Sequence, residues 1–155
     1  MSGSANSILV EPAEGQRRIR ERLAGEAAIL PGMLLELDSS GEYVSHAGAG
    51  LNAQKLFALE NVADAKGIAD VYADGDSVRG LYAQPGDLVN AALAASATTI
   101  PIGAFLESSG DGYLRIATAD AATDTAQREA MVAVATEAVD NSSGPAGTRI
   151  LVEVL

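Results

Sequence analysis

Apolar residues in this chain come in short runs separated by turn-forming clusters, and the most regular stretch is ADGDSVRGLYAQPGDLVNAAL, from Ala73 to Leu93. It contains two Gly-Asp pairs, Gly75-Asp76 and Gly86-Asp87, each followed by a run of β-branched and apolar residues. Glycine enters backbone conformations closed to other residues, and an adjacent aspartate can hydrogen-bond nearby backbone. Each pair therefore marks where one strand stops and the next starts. Pro31-Gly32-Met33-Leu34-Leu35 repeats the turn-then-strand phrase of Pro85-Gly86-Asp87-Leu88-Val89.

From Ile29 onward the runs recur roughly every 8 to 15 residues, the spacing of a sandwich or barrel. MLLELD and EYVSH, separated by Ser39-Ser40-Gly41, predict a hairpin, and QKLFALEN predicts a strand apolar on both faces. VADAKGIAD reads as a connector and SVRGLYAQ as a strand, with Gly80 marking a bulge or a close approach. In ATTIPIGAFLE, Pro101 cannot donate to a ladder, so the strand lies at an edge or begins after the proline. SSGDG then turns the chain into YLRIA. The Ala-rich stretch that follows is read as a loop from Thr118 to about Gln127 and a strand from Met131 to Val139, although its propensity also allows helix. TRILVEVL closes the chain as the clearest amphipathic strand, Ile150, Val152 and Val154 alternating with Arg149, Leu151 and Glu153.

Residues 1–26 have a different character, small and polar at first and then QRRIRERLAGE. Ile19 and Leu23 stand four apart, a helical spacing, and Arg22 and Glu26 form a possible charge pair. So short a polar segment is marginal as a helix in water, which predicts an arm outside the core that orders on a surface. A frayed terminus is the competing reading. The fold class expected is all-β: a small β-barrel or β-tulip-like domain over residues 27–155, carrying an extended N-terminal arm over residues 1–26.

A chain of 155 residues fits one domain with one core, and with only 4% aromatic residues that core is built from Ala, Val, Leu and Ile. The chain has no cysteine, which excludes disulfides and thiolate chemistry. No run of about 18 apolar residues and no basic start leading into an apolar stretch is present, so no membrane span or secretory signal is expected. Residues 1–26 hold four acids and four bases, leaving 17 acids and 6 bases after them, which is the whole net charge of −11. A body so acidic repels nucleic acid.

The inventory for catalysis is thin. His46 is the one histidine, beside the loop AGAG, where a surface position is expected and no partner follows from spacing. Gly48 to Leu51 lacks the downstream glycine of a phosphate loop. Asp74, Asp76 and Asp87 suggest a calcium loop, but the twelfth position counted from Asp74 is Pro85, not Glu, so these aspartates and Asp111 are read as turn residues. Gly-Asp turns also occur in lipoyl and biotinyl carrier barrels. The nearest candidate for modification here, Lys66 in DAKG, lacks the flanking residues of a carrier hairpin. No catalytic residue, cofactor or metal site is assigned.

PGMLLEL at 31 to 37, KLFALEN at 55 to 61, YADGDSVRGLYAQPGDLVNAAL at 72 to 93, IGAFLESSGDGYLRIA at 102 to 117 and VAVATEAVDNSSGPAGTRILVEVL at 132 to 155 follow one another in an order that resembles the decoration, or cement, proteins of tailed bacteriophage capsids. The resemblance spans Ile29 to Leu155; Thr118 to Thr125 matches no motif of the family. It implies a small β-barrel or tulip-like domain on the outside of an icosahedral head, made in the bacterial cytoplasm. The implied assembly is a homotrimer at threefold or quasi-threefold positions, with an N-terminal arm along the major capsid protein. The arm arginines Arg17, Arg18, Arg20 and Arg22 are then the expected capsid contacts, and removing residues 1–26 is expected to abolish attachment while leaving the body folded. Many modest contacts to a repeating lattice act through avidity.

The alternative from another class is a ligand- or carbohydrate-binding β module on a virion surface. Its platforms would have to come from Tyr43, Tyr72, Tyr82 and Tyr113, since the chain has no tryptophan. Glycan binding lost on substituting Tyr72 or Tyr82 would support it. A small enzyme would require His46 beside two carboxylates in a closed pocket.

Overall fold

The computed structural model describes residues 6–95, 98–118 and 130–155. In chain order its strands are β1 (Leu9–Glu11), β2 (Arg18–Leu23), β3 (Leu35–Leu37), β4 (Tyr43–Ser45), β5 (Leu56–Ala58), β6 (Ser77–Tyr82), β7 (Leu88–Leu93), β8 (Phe105–Ser108), β9 (Leu114–Ile116), β10 (Ala133–Ala135) and β11 (Thr148–Val154). One 3₁₀ turn, Val62–Asp64, lies in the connector before β6. Among the described residues no helix is long and apolar enough to cross a membrane.

The fold is all-β and its centre is a closed five-stranded barrel in the order β7-β11-β10-β8-β9, with β9 returning to β7 through the parallel pair Leu93↔Leu114. β11 pairs with β7 over six residues, from Thr148↔Leu93 to Glu153↔Leu88. Its alternation then sends Ile150, Val152 and Val154 inward, all buried, to meet Val89, Ala91, Leu93, Leu106, Leu114, Ala133 and Ala135. Small and β-branched residues dominate because so narrow a barrel is filled by its own side chains.

The second edge of β7 is satisfied by three separate pieces of chain. Asn90 N–H donates to Ile8 O (2.7 Å), Ala92 N–H to Gly32 O (3.1 Å) and Ala94 N–H to Leu114 O (2.9 Å). Alternate amides of one strand thus bind the N-terminal segment, the Pro31-Gly32 turn and β9, leaving none of the three unpaired in the interior.

A second, smaller core lies against the barrel. Its walls are the antiparallel sheet β2-β6-β5 and the β3-β4 hairpin, joined by the bridges Leu34↔Phe57 and Ala24↔Tyr43. Leu35, Tyr43, Leu56, Ala58, Tyr72 and Val78 fill it. The expected hairpin and the doubly covered strand are both present: Leu56, Phe57 and Ala58 are all buried, Phe57 in the barrel core and its neighbours in the second core. Gly80 is a close-approach site, since its place in β6 keeps regular register with Arg20 and Ala58, and a Cβ there would lie 2.8 Å from the Tyr43 ring.

The Gly-Asp turns share one construction. Gly75 and Gly86 both have positive φ (82° and 91°), and the carboxylate after each accepts from the amide that opens the turn, Asp76 from Ala73 and Asp87 from Gln84, both at 2.8 Å. Gly32, with φ 92°, makes the Pro31 turn without a carboxylate: Met33 N–H donates to Leu30 O (3.0 Å), and the Met33 sulfur takes the Leu30 amide at 3.0 Å. β8 begins after Pro101, at Phe105. The strand expected over Met131 to Val139 is shorter, Ala133–Ala135, and most of the loop expected from Thr118 to Gln127 lies outside the described residues.

Residues 6–26 depart from the expected helix-prone arm. Ile8 is fully buried in the barrel core, β1 pairs with β7, and β2 runs antiparallel to β6 over six pairs from Arg18↔Tyr82 to Leu23↔Ser77. The four-residue spacing of Ile19 and Leu23 is that of two residues on one face of a strand. The segment is extended, but it lies along the body and contributes to it.

Candidate functional site

β2 carries most of the arm's arginines and is the outer strand of its sheet. Ala24 N–H donates to Asp76 O (2.8 Å), which fixes the parity of the ladder: the amides of Arg18, Arg20 and Arg22 face β6, and those of Ile19 and Glu21 face away. None of the hydrogen bonds among the described residues engages the N–H or C=O of Ile19 or Glu21. Five of the six residues of β2 are exposed; Ile19 is 41% and Leu23 52% accessible.

The structure divides the four arginines. Arg17 is committed inward: its Nη2 lies 2.7 Å from Asp87 Oδ1, and the guanidinium also donates to the carbonyls of Ala13 and Gly15. Arg22 is half-buried and donates to Gly41 O (3.1 Å) beside Tyr43. Arg18 and Arg20 are exposed. Arg18 lies 5.9 Å from the Tyr82 ring centroid, a cation–π contact to its cross-strand partner. Together with Gln16, Ile19 and Gln84, the residues Arg17, Arg18 and Arg20 line an open, mostly polar groove of about 530 Å³.

Asp87 has the turn role expected of it and a second role that sequence reasoning missed. Beyond its turn it accepts from Ala13 N–H (2.8 Å) and balances the Arg17 charge, and it is fully buried. Two carboxylate oxygens thereby receive two amides and a guanidinium, which offsets the loss of water. A buried carboxylate at a turn 70 residues from its arginine leaves no local signal.

His46 is buried, not superficial as expected, at 4% exposure. Its Nδ1 lies 2.7 Å from Ser108 Oγ and its Nε2 3.1 Å from Asn52 O, with Glu36 Oε2 at 3.8 Å. Ser108 is fully buried and also receives Gly110 N–H (3.2 Å). Among the described residues one carboxylate, that of Glu36, pairs with the ring, and the hydrogen bonds tie β4, the AGAG loop and β8 together.

Asp111 accepts from Tyr113 N–H (3.3 Å) and from Ser109 Oγ, the turn role expected of it. Among the described residues no group of three acidic or histidine side chains could hold a metal ion. Tyr43 and Tyr72 are buried within the second core, and Tyr72 Oη donates to Leu59 O (2.6 Å). Buried as they are, neither ring forms an outward stacking platform, and the same burial raises both phenols above their ordinary range, Tyr72 to about 12.

Two further cations are held inside. Lys55 Nζ donates to Met131 O (2.9 Å), and Arg149 donates to the carbonyls of Pro31 and Ile68; desolvation lowers the pKa of each. Both fasten connectors to the barrel. The exposed positive charge of the arm, by contrast, is gathered on β2. No protein-family model matches this chain, and no curated protein matches it.

Proposed function

We propose that the protein is a structural component of a tailed-bacteriophage virion that binds the outer surface of the icosahedral head and stabilises the major capsid protein lattice, as a homotrimer. The observation that carries this reading is the exposed arginine strand β2 on the side of an otherwise acidic barrel. Such a surface suits an acidic neighbour, and the remaining acidic surface turns away nucleic acid. The strand phrases of the cement-protein resemblance fall on β3, β5, β6, β7, β8, β9, β10 and β11, so the likeness follows the barrel and its flanking sheet. Contacts repeated at each lattice position would add through avidity, so modest single-copy affinity suffices.

Deleting residues 1–26 would remove Ile8, β1 and β2 together and so test folding along with attachment. The test is therefore the full chain against the Arg18→Glu/Arg20→Glu variant, co-sedimented with unexpanded and expanded tailed-phage heads, after measuring the mass of the free protein in solution. Wild type is expected to pellet with expanded heads and the variant to remain in the supernatant. Equal pelleting of both, or of neither, would overturn the assignment to β2 or to the head, and a monomer mass on heads and off them would overturn the trimer.

A further inference from the structure

We infer that the outer edge of β2, which no described residue pairs at Ile19 and Glu21, is a strand-addition site that takes an extended peptide segment with acidic and apolar residues in alternation, and that its arginines exclude a second copy of β2. Three features of β2 lead there.

The first is the backbone. The N–H and C=O groups of Ile19 and Glu21 point away from β6, and the ladder behind them runs without a bulge from Arg18 to Leu23. Edge strands are ordinarily shortened, bulged, charged or interrupted by proline to stop other chains from pairing with them, and of these devices β2 carries only charge. β2 has no proline and a regular register, and Tyr43 bridges its edge only at Ala24, so a partner strand of about five residues set against Arg18 to Arg22 can complete the bonds of Ile19 and Glu21.

The second is the division of its faces. Arg18, Arg20 and Arg22 lie on one face, and Ile19, Glu21 and Leu23 on the other. An added strand whose residues alternate would set carboxylates beside the arginines and apolar side chains beside Ile19 and Leu23, which are exposed to 41% and 52%. Three arginines against one glutamate give β2 a charge of +2 in a chain of −11. The polar groove beside Arg18 and Arg20 gives acidic side chains room to meet them.

The third decides against self-pairing. In two antiparallel strands related by a two-fold axis, directly opposed residues share a face, so even-numbered positions of β2 can meet only even-numbered ones. Centring the pair on Arg20 sets Arg20 against Arg20 and Arg18 against Arg22; centring it on Glu21 sets Glu21 against Glu21 and Arg20 against Arg22. Like charges directly opposed destabilise a sheet, whereas opposite charges there are favourable. The same arginine row that invites an acidic strand therefore keeps the open edge from closing on its own kind.

The site stands on the geometry of β2 and not on the virion reading. Head attachment without peptide binding would sink this inference alone, and peptide binding without attachment would sink only the assignment to a head.

The experiment uses the full chain and two capped ten-residue peptides, one alternating Glu and Val and one alternating Lys and Val, with binding followed by backbone NMR and amide hydrogen exchange. The Glu-Val peptide should bind at least about tenfold more tightly than the Lys-Val peptide, as expected from two or three cross-strand charge pairs whose sign is reversed. It should slow exchange at Ile19 and Glu21 and weaken as salt is raised. Arg18→Glu/Arg20→Glu should reverse the order of the two peptides. Glu21→Pro, which removes an outward N–H without removing a bond to β6, should keep the wild-type fold and lose binding of both. Equal affinity for the two peptides, protection away from β2, undiminished binding by Glu21→Pro, or wild-type dimers that protect Ile19 and Glu21 would each overturn the inference.

Discussion

Arg17 Nη2 and Asp87 Oδ1 are 2.7 Å apart, with side-chain exposures of 9% and 0%, and this contact joins the segment between β1 and β2 to the turn that opens β7. Asp87 also holds the amides of Ala13 and Gln84 at 2.8 Å, so one carboxylate closes its own turn and anchors a segment far away in sequence.

Removing either partner should be costly because it strands the other. Arg17→Ala or Asp87→Ala is expected to destabilise the protein by about 3 kcal/mol, and the double variant by clearly less than the sum. Urea unfolding of the three variants measures the coupling. Strict additivity would mean that the two side chains act independently.

Ile8 tests whether the N-terminal segment belongs to the body. It is fully buried in the barrel core, so Ile8→Ala should cost about 2–5 kcal/mol. A loose arm predicts no change in midpoint, and that result would return residues 6–17 to the status of a tail.

Gly80→Ala should overpack the second core. The new Cβ would meet the Tyr43 ring at 2.8 Å in a sheet flanked on both sides, a strain of about 1–3 kcal/mol. Thermal unfolding reads it, and Tyr43→Leu in the same chain should recover part of the loss. A neutral Gly80→Ala would show that the ring and the strand are not in contact.

Alkaline pH should weaken the fold through the buried tyrosines. Burial raises Tyr72 to about 12, partly opposed by Arg79, whereas the unfolded residue ionises near 10. Between these values the folded protein keeps a proton that the unfolded chain has released. The stabilisation is therefore complete below pH of about 10 and is lost as pH rises toward about 12. Tyr43 is pushed the same way, also chiefly by burial. Tyr72→Phe should lose about 1 kcal/mol at neutral pH with the Leu59 hydrogen bond, and should show a shallower decline above pH 10. Identical slopes for wild type and variant would remove Tyr72 as the cause.

The barrel was legible where side-chain period and turn chemistry agreed. Ile150, Val152 and Val154 alternate over seven residues of β11, and Gly75 and Gly86 take positive φ where a turn had been expected. β2 was not legible, because a spacing of four suits both periods: Ile19 and Leu23 share a face of a helix and equally of a strand. Partners distant in sequence were hidden for a different reason. His46 gains its burial from Ser108 and Asn52, and Arg17 finds Asp87, only after the sheets have assembled. The arginines were visible as a group, but nothing in their order separated inward Arg17 from outward Arg18 and Arg20.

Routing the N-terminal segment across both cores has a mechanical consequence. Tension applied near residue 6 is taken up by Ile8 inside the barrel and then by the Arg17–Asp87 contact, so the described segment ahead of β2 is held at two points. A neighbour that pulls on β2 pulls through its six-residue ladder on β6, and a displacement at that outer strand is passed to the second core without a hinge to absorb it.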